Sequence, residues 1–142
     1  IIGGSGLYEL DGASESKWET IKTPWGSPSD QILTLKFDDQ EVCFLPRHGR
    51  GHLISPSNIN FRANIDALKQ KGVTDIISIS AVGSLKEKLP PGKFVLIDQF
   101  IDRTFARVKT FFDEEIVAHV SMAQPTSINL IELCEVALNN YR

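Results

Sequence analysis

The chain has 142 residues, 42% hydrophobic and 23% charged, with 15 basic against 18 acidic side chains and a net charge of -3. This ordinary globular composition allows one core, and without a basic run it offers no general attraction for nucleic acid or an anionic membrane. The longest apolar stretches, such as Ile76-Ile77-Ser78-Ile79, fall far short of a bilayer span, and the start lacks a charged segment followed by an apolar one.

Ile1-Ile2 running into Gly3-Gly4-Ser5-Gly6 reads as a strand entering a glycine turn that leaves backbone amides exposed. Residues 18–21 predict a short strand, followed by a loop dense in breakers, Thr23-Pro24-Trp25-Gly26-Ser27-Pro28. Residues 32–37 and 42–45 flank Asp38-Asp39-Gln40, which predicts a hairpin whose second strand leads into Pro46-Arg47-His48-Gly49. Phe61, Ile65 and Leu68 recur at helical spacing over residues 60–71, with Gly72 as a stop.

Residues 75–80 have the near-continuous apolar character of a parallel strand covered on both faces, and residues 94–97 predict another. Ile128, Ile131, Leu133, Cys134 and Leu138 return at helical intervals in the last stretch. Strands alternating with helices predict an α/β layered sheet, with no repeat or linker to divide residues 1–142. Cys43 and Cys134 form neither a CxxC pair nor a disulfide framework and read as small apolar residues. A soluble, cytoplasmic protein is expected. A trimmed or partial chain is expected from the start at Ile1 without Met and the break inside an apparent helix.

Ligands of open α/β sheets bind beyond the carboxyl ends of strands, which directs attention to residues 3–6, Arg47-His48 and residues 80–83. The first is no dinucleotide fingerprint, since Glu9 stands where a glycine is required, and no nucleophile elbow, since Leu7 occupies its last position. What remains is a nest of amides with the Ser5 hydroxyl, suited to a small anion or simply a turn. Arg47 offers a planar fork of donors that matches phosphate oxygens, and His48 adds another donor. The competing reading makes Arg47, His48, Arg50 and His52 a solvated loop.

A metal on His48 and His52 is disfavoured because Gly49 and Gly51 break the helix that would align them. The carboxylate pairs Asp98 with Asp102 and Glu114 with Glu115 read as structural rather than as a glycosidase pair. Trp18, Trp25, Phe111 and Phe112 lack interleaved basic residues, so packing is favoured over nucleic-acid stacking.

Eight segments in order resemble the methylthioadenosine phosphorylases. They are residues 1–7, Thr23-Pro24-Trp25-Gly26-Ser27-Pro28-Ser29-Asp30, Leu45-Pro46-Arg47-His48-Gly49-Arg50-Gly51-His52, residues 60–65, Ser80-Ala81-Val82-Gly83-Ser84-Leu85, residues 98–104, residues 110–113 and Ala118-His119-Val120-Ser121-Met122. The resemblance implies a mixed central β-sheet flanked by helices, similar to trimeric purine nucleoside phosphorylases, here the incomplete N-terminal part of one domain. By resemblance Ser5, Arg47, His48, Ser80 and Ala81 hold phosphate, while His119 reaches a neighbouring subunit's nucleoside 5'-group. Ser5 and Ser80 stand where other members carry Thr, and both keep a hydroxyl.

The implied reaction is phosphate-dependent cleavage of S-methyl-5'-thioadenosine to adenine and 5-methylthioribose 1-phosphate, without a metal or cofactor beyond the phosphate co-substrate. The implied assembly is a homotrimer or a dimer of trimers. Purine- and ribose-gripping residues are expected beyond Arg142, so that activity requires the full-length chain. The alternatives are a methylthioinosine or other purine nucleoside phosphorylase, and an inactive fragment that binds phosphate or a partner chain.

Overall fold

A computed structural model describes residues 1–4, 12–112 and 115–140. Its elements are β1 (Ile2–Gly3), β2 (Glu15–Glu19), β3 (Ile32–Phe37), β4 (Gln40–Pro46), a 3-10 turn (Pro56–Asn58), α1 (Phe61–Gln70) and α2 (Ile128–Asn140). The chain forms two compact units, one of Ile1–Ala81 with Arg107–Phe111 and the other of Val82–Ala106 with Phe112–Arg142.

In the first unit the four strands form a mixed sheet in the order β1-β4-β3-β2. β3 and β4 are antiparallel with Phe37 opposite Gln40, so the turn contains only Asp38 and Asp39. Asp38 takes φ 50, a left-handed conformation that a short polar side chain tolerates. β2 adds antiparallel to β3, and β1 lies parallel to β4.

Side chains alternate across the sheet, so β3 and β4 each supply two cores. Ile2, Ile32, Cys43 and Leu45 pack on one face with Ala67 and Leu68 of α1. Leu33, Leu35 and Phe44 fill the other, together with Ile1, Ala13, Trp18 and Phe37. The expected hairpin and helix are present, but the buried stripe of α1 is Ala63, Asn64, Ala67 and Leu68, whereas Phe61 and Ile65 are more than a third exposed. Asn60 caps this helix by accepting the Ala63 amide at 3.1 Å, and Gly72 ends it at φ 78.

The two strands expected at 75–80 and 94–97 are not regular strands. Residues 75–80 make a single parallel bridge, Ile2 to Ser78, because the strand they meet is only two residues long. Ile76, Ile77 and Ile79 are each more than a third exposed rather than covered on both faces. Residues 94–97 have no strand partner among the described residues, and Phe94, Val95 and Ile97 are exposed. The strand expected at 18–21 is shifted to Glu15–Glu19 by its pairing with β3, in which Trp18 faces Leu33.

In the second unit α2 turns Leu130, Ile131, Cys134 and Leu138 to its less exposed side. No helix of the described residues is long and apolar enough to cross a membrane.

Candidate functional site

β1 is the axis of the site. On one side, Leu45 N donates to Ile1 O and Arg47 N to Gly3 O, both at 2.9 Å. On the other, Ile2 N donates to Ile77 O and Ile79 N to Ile2 O, also at 2.9 Å. All three segments run the same way. The residues that leave their carboxyl ends therefore gather at one end of the sheet, the position at which α/β sheets bind ligands.

Arg47 and Ser80 meet there. Arg47 Nη1 donates to Ser80 Oγ at 2.6 Å and to Ile79 O at 3.3 Å. His48 Nδ1 lies 2.8 Å from Ile54 O, and because a carbonyl only accepts, that nitrogen carries a proton. Its Nε2 accepts a long contact from Arg47 Nε at 3.4 Å. The guanidinium, the imidazole and the hydroxyl thus converge from two loops; the guanidinium always donates, the hydroxyl can turn to donate, and His48 Nε2 donates once the ring is doubly protonated, a set matched to an oxyanion. The His48 and His52 rings stack, with centroids 4.4 Å apart and planes 29° from parallel.

A second layer fixes this turn, and the sequence did not single it out. Asp30 Oδ2 accepts Arg50 N at 2.6 Å, and its carboxylate also takes Arg50 Nε at 3.1 Å and Nη2 at 3.0 Å. Arg50 lies over the Trp18 ring, 4.1 Å from its centroid. Burial pushes the Asp30 carboxyl up, but the Arg50 side chain and the amides of Arg50 and Gln31 outweigh it and hold the group below its ordinary value.

Asn64, only 3% exposed, accepts Ser29 N at 2.7 Å and donates to Ser29 Oγ at 2.9 Å. A Cβ on Gly49 would stand 3.0 Å from Ser29 O. The available signal was Asn64 itself, a polar side chain one turn from Ala67 and Leu68 on the buried face of a helix.

Among the other candidates, Ser5 lies outside the described residues. Ala81 directly follows Ser80 in the same unit and is exposed. His119 belongs to the second unit, exposed on a stretch without regular structure. Asp102 accepts the Thr104 amide at 2.8 Å. Glu114 lies outside the described residues.

The profile of the phosphorylase superfamily matches residues 1–140. The chain is 59% identical over 138 residues to S-methyl-5'-thioadenosine phosphorylase of Rhodospirillum rubrum, covering 97% of this chain and 47% of that protein. A methylthioadenosine phosphorylase from an antarctic soil metagenomic library superposes with a TM-score of 0.95 at 48% identity, over 99% of this chain and 49% of the other. The Schistosoma mansoni methylthioadenosine phosphorylase in complex with adenine gives a TM-score of 0.92 at 40% identity, over 99% and 53%. The chain spans about half the length of the relatives it matches.

Proposed function

Because this chain belongs to the phosphorylase superfamily, we propose that the full-length protein cleaves S-methyl-5'-thioadenosine with inorganic phosphate, giving adenine and 5-methylthioribose 1-phosphate. The observation that carries the reading is the convergence of Arg47, His48 and Ser80 at the carboxyl ends of parallel segments. The identity to named phosphorylases supplies the nucleoside.

In this reading phosphate enters between the Arg47 fork, the His48 imidazole and the Ser80 hydroxyl, with the Ala81 amide and Ser5 completing the cradle. Arg47 exchanges its bond to Ser80 for bonds to phosphate oxygens. The anion is then held beneath C1', where the ribosyl centre gains positive charge as the bond to adenine breaks. Its negative charge stabilises that centre, and fixing both reactants in line removes entropy from the barrier. His119 approaches the 5'-group of a neighbouring subunit's nucleoside in a homotrimeric, cytoplasmic enzyme, and no cofactor beyond phosphate takes part. Residues 1–142 form part of one catalytic domain in this reading.

The test is release of adenine from S-methyl-5'-thioadenosine by the full-length protein, with phosphate present or omitted. Phosphate-dependent release is expected. Release at the same rate without phosphate, or none with it, overturns the proposal.

A further inference from the structure

We propose that Asp30 is a positioning residue for the oxyanion site, setting Arg47 and His48 through its grip on Arg50. The inference rests on the reading of Arg47 and His48 as phosphate ligands. The turn that bears them is pinned at both ends: Arg47 N donates to Gly3 O at 2.9 Å, and Arg50 N donates to Asp30 Oδ2 at 2.6 Å. Between those anchors Gly49 N closes the turn on Pro46 O at 3.0 Å, so only a short stretch carries the two site residues.

The two arginines of this turn therefore have different roles. The charge of Arg50 is matched by the Asp30 fork, its Nη2 also donates to Gln31 Oε1 at 2.8 Å, and its face lies against Trp18. Arg47 makes its side-chain bonds to a neutral hydroxyl, a carbonyl and an imidazole, and its guanidinium keeps a net positive charge for an anion. The Asp30 side chain is 12% exposed and that of Arg50 45%, so the contact is held by its geometry, a side-chain fork plus the bond from Arg50 N, rather than by burial of the pair. Asp30 is itself fixed from behind, since its neighbour Ser29 is held through backbone and hydroxyl by the buried Asn64.

The experiment uses the full-length protein, with phosphate and nucleoside varied in turn and thermal denaturation measured in parallel. Asp30→Asn places amide hydrogens where Arg50 needs acceptors. The phosphate KM should rise about tenfold, as expected when a reacting group is displaced by a fraction of an ångström, with the nucleoside KM unchanged. Asp30→Asn and Arg50→Met combined should be no worse than the more harmful single change, because both cut the same link. Arg50→Lys, which keeps the charge without the fork, carries the same expectation if Asp30→Asn does not fold.

Arg47→Lys separates the two levels of the argument. If it leaves the phosphate KM unchanged, the phosphate reading itself is wrong. If it raises that KM while Asp30→Asn and Arg50→Lys do not, or if the double variant is fully additive, the positioning role of Asp30 is overturned.

Discussion

Arg47 Nη1 donates to Ser80 Oγ at 2.6 Å across 33 residues of sequence, joining the loop after β4 to the loop beyond residue 79. Each partner should therefore weaken phosphate binding when altered, but to different extents. Arg47→Lys removes the fork and should raise the phosphate KM about 10- to 100-fold, the equivalent of a charge-assisted bond of about 1.5 to 3 kcal/mol. Ser80→Ala removes a neutral bond and should cost about fivefold, or about 1 kcal/mol. Initial rates at saturating nucleoside and varied phosphate measure both; equal effects would contradict the roles assigned.

Asn64 accepts from the Ser29 amide and donates to its hydroxyl. Asn64→Ala leaves both Ser29 groups without these partners in a part-buried setting and should lower stability by about 1 to 3 kcal/mol. Ser29→Ala removes only the hydroxyl and should cost less. Urea denaturation midpoints of the two variants give the order, and the reverse order would show that the amide bond to Asn64 matters little.

Gly49 and Gly72 both take left-handed backbone, at φ 71 and φ 78. Alanine at either should cost about 1 to 2 kcal/mol in backbone strain. Only at Gly49 would the new Cβ meet a neighbour, Ser29 O at 3.0 Å; at Gly72 nothing lies within 4 Å. Gly49→Ala should therefore also raise the phosphate KM, while Gly72→Ala should leave kinetics as they are. Parallel melting curves and phosphate titrations separate the two effects.

Glu19 receives Lys71 Nζ at 2.8 Å and Lys17 Nζ at 3.0 Å. The bonds from Lys71 and then Lys17 lower its pKa from 4.5 to about 2. Since the folded value is the lower one, the unfolded chain takes up the proton first as pH falls. The stabilisation from Glu19 is present above about 4.5 and fades as pH drops toward 2. Lys71→Met should flatten the pH dependence of the melting temperature in that window. An unchanged slope would mean that the ion pair does not persist in solution.

The sequence made the local elements legible where one signal dominated. Two strand-like runs flanking Asp38-Asp39-Gln40 predicted the β3–β4 hairpin, and helical spacing before Gly72 predicted α1. The strand ends chosen for chemistry included Arg47 and Ser80, which the fold brings into contact. What stayed hidden depends on pairing across long separations. Residues 75–80 read as a covered strand because Ile76, Ile77 and Ile79 are apolar, yet composition cannot reveal that their partner is two residues long. Nothing in the sequence links Asp30 to Arg50, 20 residues away; only folding β3 back onto β4 makes them one unit.

The place of β1 between β4 and residues 77–79 limits what can occupy the positions on either side of it. Two interstrand steps separate the backbone of β4 from that of residues 77–79, about 10 Å in all. A hydroxyl on a one-carbon stem cannot cross that width, so one flank must supply a side chain of arginine's reach and the other can remain short. The scaffold thereby constrains which residues are interchangeable: a serine-for-threonine exchange at position 80 is geometrically minor, whereas shortening position 47 leaves a gap that no rotamer opposite can close.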